Sequence, residues 1–185
     1  MSSPHSAAIG ELIAAGHLEQ ATELIGILAV TGLVLREVNL YRRSWPGAPL
    51  SGADLRNANL RSVDLSGADL SGASLRKARL DGANLQNADL TGAVLVGAVA
   101  SGVDFSGAAL SRARLQGINL SRTNFARADL RGANLRQARL RQVDFTGADL
   151  RGTDLSGAEF WQEATWIGCQ WDRQTRWMAG QTRPP

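Results

Sequence analysis

A strict five-residue period runs through the middle of this chain, from Leu50 to Phe160. Every fifth residue there is apolar: eighteen are Leu, four are Phe and one is Ala. The residue two places earlier is small, usually Ala, and the one between is often Asp or Asn, as in Ala53-Asp54-Leu55. A period of five is neither the 3.6 of a helix nor the 2 of a strand. The stretch is therefore a tandem repeat, and the repeat governs the fold.

The tandem A(D/N)LXX pattern resembles that of the pentapeptide-repeat proteins over residues 50–160. The resemblance implies an all-β solenoid: a right-handed quadrilateral parallel β-helix in which each pentapeptide forms one side. It implies much less about function, because many members of the family have none assigned.

The spacing of the Phe residues offers a check on the four sides that the resemblance implies. A coil of four pentapeptides has twenty residues, so residues twenty apart stack on one side. Phe105, Phe125 and Phe145 are twenty apart. The residues two places before them are all β-branched: Val103, Thr123 and Val143. The sequence therefore predicts a core ladder of three Phe rings.

Residues 1–30 are predicted to form an N-terminal tail and a short helical cap. Apolar residues from Ile9 to Leu28 recur at intervals of three and four, the period of a helix. Gly16 and His17 are expected to divide it into two helices. A cap would cover the open end of the solenoid. The alternatives are a helix that binds a partner or forms a dimer, and a helix that lies on a membrane surface.

The β-helix itself is predicted over residues 31–160. The five-residue frame extends back through Leu40 and Trp45 to Leu35, although the segment Arg42–Ala48 is expected to be irregular because it contains Pro46 and Gly47. The frame then slips by one residue after Phe160.

Residues 161–185 are predicted to form a C-terminal cap or tail rich in Trp. Two alternatives stay open for this segment. The aromatic rings plug the last coil, or they form a homodimer interface, since Trp is enriched at interface hot spots. Resemblance supports the second, because gyrase-protecting members of the family dimerise end to end through their C-termini. The residues concerned are Trp161, Trp166, Trp171 and Trp177.

Two groups of outward residues are candidates for an interaction surface. Valines replace the usual polar outward residues at one level of the coil, which predicts an exposed apolar patch, and such patches mark interfaces. Arg residues recur at twenty-residue intervals and form one column, which suits phosphate or carboxylate binding. The candidates are Val94, Val96 and Val99, and Arg36, Arg56, Arg76 and Arg136. In both groups the alternative is an ordinary solvated surface.

Catalysis finds little support in the sequence. Asp69 and Asp89 are twenty residues apart and therefore adjacent, so they could hold a cation, although two solvated carboxylates explain them equally. The two His residues lie outside the repeat, and no metal-ligand spacing or phosphate-binding loop occurs. We therefore expect no enzyme activity and no cofactor.

The composition restricts the kinds of partner that the protein binds and the cellular compartment that is expected for it. The net charge is +3, which is too small for a nucleic-acid signature, and no apolar run is long enough to span a membrane. With one Cys and no pattern of a signal peptide, the chain is expected to be cytoplasmic. The predicted function is a scaffold or protein-interaction module. The alternative is a protein that binds DNA gyrase by mimicking duplex DNA, as the antibiotic-resistance members of the family do.

Overall fold

Two short helices precede the repeat. The computed structural model describes residues 4–28 and 31–177. Helix α1 spans Pro4–Ala15 and helix α2 spans Leu18–Leu28. Gly16, with φ of 87°, ends α1 in the left-handed region. The amide of His17 donates to the carbonyl of Leu12, which satisfies a carbonyl at the helix end. The predicted pair of helices is thus present.

The repeat forms a coil whose successive turns are joined by parallel bridges. Each bridge is one residue wide, and most join residues twenty apart, so a coil contains four pentapeptides. The bridges form four columns, one on each side of the coil. We number the columns and sides one to four in the order of their first residues, which are Val34, Asn39, Ser44 and Pro49. No strand longer than these single residues occurs in the described parts of the chain. The first column has seven steps from Val34 to Arg176, or roughly 34 Å at 4.8 Å a step.

Backbone hydrogen bonds between coils explain why the pattern repeats in fives. At the bridge, the amide of Asp54 donates to Leu33 in the coil before, at 2.7 Å. The amide of the next residue, Leu55, donates to Ser74 in the coil after, at 2.8 Å. In the turn, the amide of Gly52 donates to the following coil at 2.7 Å. Because each coil supplies hydrogen-bond acceptors for its neighbours, the backbone amides at the bridges are paired along each column.

The second residue of almost every turn of the coil has a positive φ, and glycine is frequent there. Glycine takes a positive φ without the strain that a Cβ brings, as Gly107 does at 67°. Polar residues also take this conformation, for example Asn57 at 59° and Lys77 at 58°. These positions project charged and polar groups from the corners of the coil.

The interior is filled by the repeated apolar residues. The Leu residues of the five-residue frame are buried, as are Phe105, Phe125 and Phe145 and the small residue two places before each. On the third side, the rings of Phe105, Phe125 and Phe145 stack with centroid distances of 5.0 and 5.5 Å. Trp166 continues the stack, 4.6 Å from Phe145. One side of the coil therefore has a continuous aromatic core in its C-terminal half.

The N-terminal helices pack over the first coil. Their buried residues belong to the same apolar core as the first coil. They are Ile9, Ile13, Ala21 and Ile25. The indole of Trp45 donates a hydrogen bond of 2.7 Å to the hydroxyl of Thr22 in α2. The helices thus cover apolar residues at the beginning of the coil.

The expectation that Arg42–Ala48 is irregular is wrong. Ser44 bridges to Asp64 as any other repeat does, and Trp45 is buried. Arg43 occupies the position that is normally small and inward, yet it is exposed. Its guanidinium extends towards the turn between the helices, 3.2 Å from where a Cβ of Gly16 would lie. The side chain can leave the core here because the first coil ends against helices instead of another coil.

The register slips at the C-terminal end of the coil, where Asp144 bridges to Thr165 and Asp154 bridges to Arg176. A short 3-10 helix over Trp161–Glu163 takes up the first of the two extra residues. Phe160 occupies an apolar position of the five-residue frame, which predicts an inward side chain, but it points outward. Its φ is 58°, and its ring is partly exposed beside the guanidinium groups of two Arg residues.

Candidate interaction surface

The outward Asp and Asn residues stabilise the turns of the coil. The carboxylate of Asp69 accepts hydrogen bonds from the amide and the hydroxyl of Ser71, at 2.9 and 2.6 Å. Asp89 accepts one from the amide of Thr91 at 2.8 Å. The same contact recurs around the coil because this turn amide has no backbone partner between coils. The Asp and Asn of the repeat are therefore structural residues.

Asp69 and Asp89 are bridged neighbours, as predicted. No group of three or more potential metal ligands occurs in residues 4–28 and 31–177. Cys169 is partly buried, and this burial raises the pKa of its thiol. A thiol with a raised pKa is a poor nucleophile at neutral pH. The geometry of the described residues therefore offers no assembled catalytic constellation.

Arginine pairs neutralise the second acidic pair of the fourth column. Arg131 binds Asp129 through two nitrogens, at 2.8 and 2.6 Å, and lies 3.8 Å from Asp149. Arg151 binds Asp149 in the same way, at 2.5 Å for the shorter contact. Hydrogen bonds from these Arg side chains hold the pKa of Asp129 and of Asp149 below the ordinary value. In the C-terminal half of the coil, the carboxylates of the fourth column are therefore all paired with Arg side chains.

Three of the four Arg side chains in the predicted column already lie beside Asp carboxylates. Arg36 and Arg56 both bind the carboxylate of Asp54, with contacts of 2.6 and 2.7 Å. Those bonds, led by the one from Arg56, hold the pKa of Asp54 well below its usual range. Arg136 lies 3.9 Å from Asp154. Arg76 makes no such contact with any residue that the structure describes.

Val94, Val96 and Val99 lie at one level of the coil, around the edge between the first and second sides; we call them the valine corner. Val99 is 42% exposed, and the other two are partly exposed. Val94 is bridged to Ser74 below and to Arg114 above. The structure therefore places all three predicted valines in one outward patch.

Two aromatic rings on the surface make contacts with Arg side chains that were not predicted from the sequence. The guanidinium groups of Arg42 and Arg61 lie 5.1 and 5.2 Å from the centre of the Tyr41 ring. Arg139 and Arg141 contact Phe160 likewise, at 5.3 and 4.6 Å. Tyr41 follows an inward Leu at a turn position that is usually small or polar, which is the sequence signal that could have revealed it.

The four predicted Trp residues of the C-terminal segment lie near one another at the end of the coil. Trp166 is buried, while Trp161, Trp171 and Trp177 are partly buried against the core. Trp177 packs edge-on against Trp166 and Trp171, at 5.8 and 6.3 Å. Next to them, Ile167 is 72% exposed. These rings close the end of the described core, and the homodimer interface stays a prediction.

Neither described α-helix has the length and apolarity that crossing a bilayer requires.

The comparisons with known proteins agree with this geometry. No curated protein matches the chain. One solved structure, a pentapeptide repeat protein from the Arabidopsis thaliana thylakoid lumen, is 35% identical over 54% of this chain and 69% of its own, with a TM-score of 0.52. QnrB1, a plasmid-mediated fluoroquinolone resistance protein, is 19% identical over 77% of this chain and 85% of its own, with a TM-score of 0.56. At that identity, the QnrB1 likeness concerns the fold alone.

HetL, a pentapeptide repeat protein involved in heterocyst differentiation regulation in Nostoc sp. strain PCC 7120, is 30% identical over 76% of this chain and 87% of its own, with a TM-score of 0.25. The profile named "Pentapeptide repeats" matches in eight copies at residues 34–72, 78–117, 105–147 and 123–162. Proteins with this repeat fold as right-handed quadrilateral β-helices, and the four columns of bridges fit that architecture. The chain belongs to the pentapeptide-repeat family.

Proposed function

We propose that this protein is a non-enzymatic scaffold, a right-handed quadrilateral β-helix that binds another protein through the side of its coil. Members of this family are generally structural or interaction modules, which supports the class of function. The division into a cap over 1–30, a β-helix over 31–160 and a C-terminal segment over 161–185 is part of the same proposal.

The observation that carries the proposal is the valine corner. Elsewhere the outward positions are mostly polar, and their side chains stabilise turns. A valine side chain cannot accept the turn hydrogen bond that an Asp or Asn provides. Val94 and Val99 therefore give up a local stabilising contact and expose apolar surface. Binding to a partner would remove that surface from water.

The backbone of the coil suits this role. The bridge amides on either side of the valine corner are paired, with Val94 donating to Ala73 at 2.9 Å and Val99 donating to Ala78 at 3.0 Å. Val94 and Val99 are therefore held by the backbone before binding, which limits the conformational entropy lost at these two positions, whereas the turn amide of Gly97 between them makes no such bond among the described residues.

The test is a comparison of partners retained from a lysate of the native host. The double variant Val94→Ser and Val99→Ser keeps the backbone but removes the apolar side chains. Asn119→Ser, one level above Val99 in the same column, is the matched control. We expect proteins that are retained by the wild type and by the control to be lost from the double variant. Identical sets of retained proteins for all three would contradict the proposal.

Topoisomerase binding by DNA mimicry is the second candidate, and it comes from the family resemblance. A duplex mimic needs unpaired negative charge at regular intervals along one side. The fourth column supplies Asp69 and Asp89, but Ala109 follows and the next two carboxylates are paired with Arg131 and Arg151. We therefore expect no protection of gyrase supercoiling from a fluoroquinolone. Dose-dependent rescue of supercoiling would make this candidate the first.

A further inference from the structure

We propose that the valine corner and the cations around it bind an extended acidic segment of a partner protein, with one apolar side chain of the segment between carboxylates. This inference rests on the proposed function and adds the chemistry of the partner to it.

The bridges place cationic residues directly above and below the valines. Val99 is bridged to Arg79 in the coil before, and Val94 is bridged to Arg114 in the coil after. Adjacent bridged residues are about 4.8 Å apart. The apolar layer is thus one residue high, with a guanidinium group on each border. An extended segment that carries one apolar side chain between carboxylates suits this arrangement.

The cations at this corner have no partner among the described residues. Arg76, Lys77, Arg79 and Arg114 make no ion pair, side-chain hydrogen bond or ring contact within the described ranges 4–28 and 31–177. Lys77 extends towards the valine level, since its Cγ lies 3.6 Å from where a Cβ of Gly97 would be. These four cations repel one another, and bound carboxylates would relieve that repulsion.

Acidic residues are missing from this part of the sequence, although the chain has 17 of them. The three stretches that build the corner are 73–80, 93–100 and 113–120. Together they contain four basic residues and no acidic residue. In contrast, Asp54 pairs with Arg36 and Arg56, and Asp154 pairs with Arg136 and Arg176, at the two ends of the first column. Four unpaired cations therefore lie beside the exposed valines, with no carboxylate in the same three stretches.

A protein segment fits this surface better than a nucleic acid. Single-stranded nucleic acids bind by stacking their bases on aromatic rings next to a basic groove. The surface aromatic rings described on the second side, Tyr41 and Phe160, are both occupied by guanidinium groups of the chain itself. Valine offers no stacking surface but does offer an apolar contact, and interfaces between proteins combine an apolar centre with a charged rim.

The experiment measures fluorescence anisotropy of the full chain with three labelled probes. The first is a short peptide with one leucine between two pairs of glutamates. The second replaces the glutamates with glutamines, and the third is oligo-thymidine. The variant is Lys77→Gln with Arg79→Gln. The control is Arg127→Gln, because Arg127 has the same turn conformation as Lys77, with φ of 60° against 58°, but lies on the opposite part of the coil.

We expect the acidic peptide to bind and the variant to weaken it roughly two- to fivefold for each cation removed. The control should bind as the wild type does, and added salt should weaken binding. Failure of the acidic peptide to bind, or equal binding to the variant and the wild type, would overturn the inference.

The other probes separate this inference from the proposed function. If the glutamine peptide binds as tightly as the acidic one and the Val94→Ser, Val99→Ser variant weakens both, the acidic preference is refuted while the interaction surface stands. If oligo-thymidine binds more tightly than the acidic peptide and Lys77→Gln with Arg79→Gln abolishes that binding, the surface is a nucleic-acid interface and both proposals are wrong.

Discussion

Removing the ring of Phe125 tests the stacked core of the third side. This residue is wholly buried between Phe105 and Phe145, with ring centroids 5.0 and 5.5 Å away. Phe125→Ala should lower the free energy of unfolding by about 3–5 kcal/mol, because the neighbouring coils cannot collapse into the cavity. Phe125→Leu keeps most of the volume and loses two ring contacts of about 0.5–1.5 kcal/mol each, so we expect about 1–3 kcal/mol.

Urea unfolding followed by far-UV circular dichroism measures these differences. Ser111→Ala is the control, since Ser111 lies at an outward turn position and should change stability by less than about 0.5 kcal/mol. The essential result is that Phe125→Ala lowers the free energy of unfolding most, Phe125→Leu lowers it less and the control least. A cost for Phe125→Leu as small as the control's would show that ring stacking contributes nothing. A cost for Phe125→Ala as small as the control's would refute the buried position itself.

Deleting residues 1–28 should leave β-rich circular dichroism but cause aggregation, because the first coil loses its cover; a soluble monomer in light scattering would refute the cap. Hydrogen bonds from Arg56 depress the folded pKa of Asp54, so its contribution to stability is present above about pH 4 and lost as the pH falls. Asp54→Asn should therefore lower the urea midpoint of unfolding at neutral pH and lower it much less in acid. The control Asp81→Asn should leave the midpoint unchanged. Ile167→Ser should shift a C-terminal dimer to monomer; an unchanged mass in light scattering would contradict that interface.

Much of the architecture follows from the five-residue period. The inward and outward positions are readable from the sequence, because each position in the repeat has one environment. The twenty-residue coil, and with it the pairing of Asp69 with Asp89, follows from the family resemblance. The stacking of Phe105, Phe125 and Phe145 follows from the same spacing. The family was identified from the same residues, and the profile match confirms it.

The ends of the coil were harder to predict because a repeat pattern assumes a coil on both sides. At the N-terminal end, Arg43 breaks the pattern without breaking the structure, since helices replace the neighbouring coil. At the C-terminal end, Phe160 keeps the pattern but turns outward, because the chain inserts a short helix after it. The contacts of Arg42 and Arg61 with the Tyr41 ring were also beyond prediction, because the length of an Arg side chain allows several partners.

The column geometry also limits how such a chain can change in length. Removing one whole coil of twenty residues would leave every later residue on its own side, so the aromatic stack and the valine corner would survive as a shorter rod. Removing five residues would keep the inward and outward pattern but rotate everything downstream by a quarter turn. Phe125 would then lie above a different neighbour, and the charges would face a new direction. The observed slips of one and two residues fall after Phe160, where no further coil within the described range has to remain in phase.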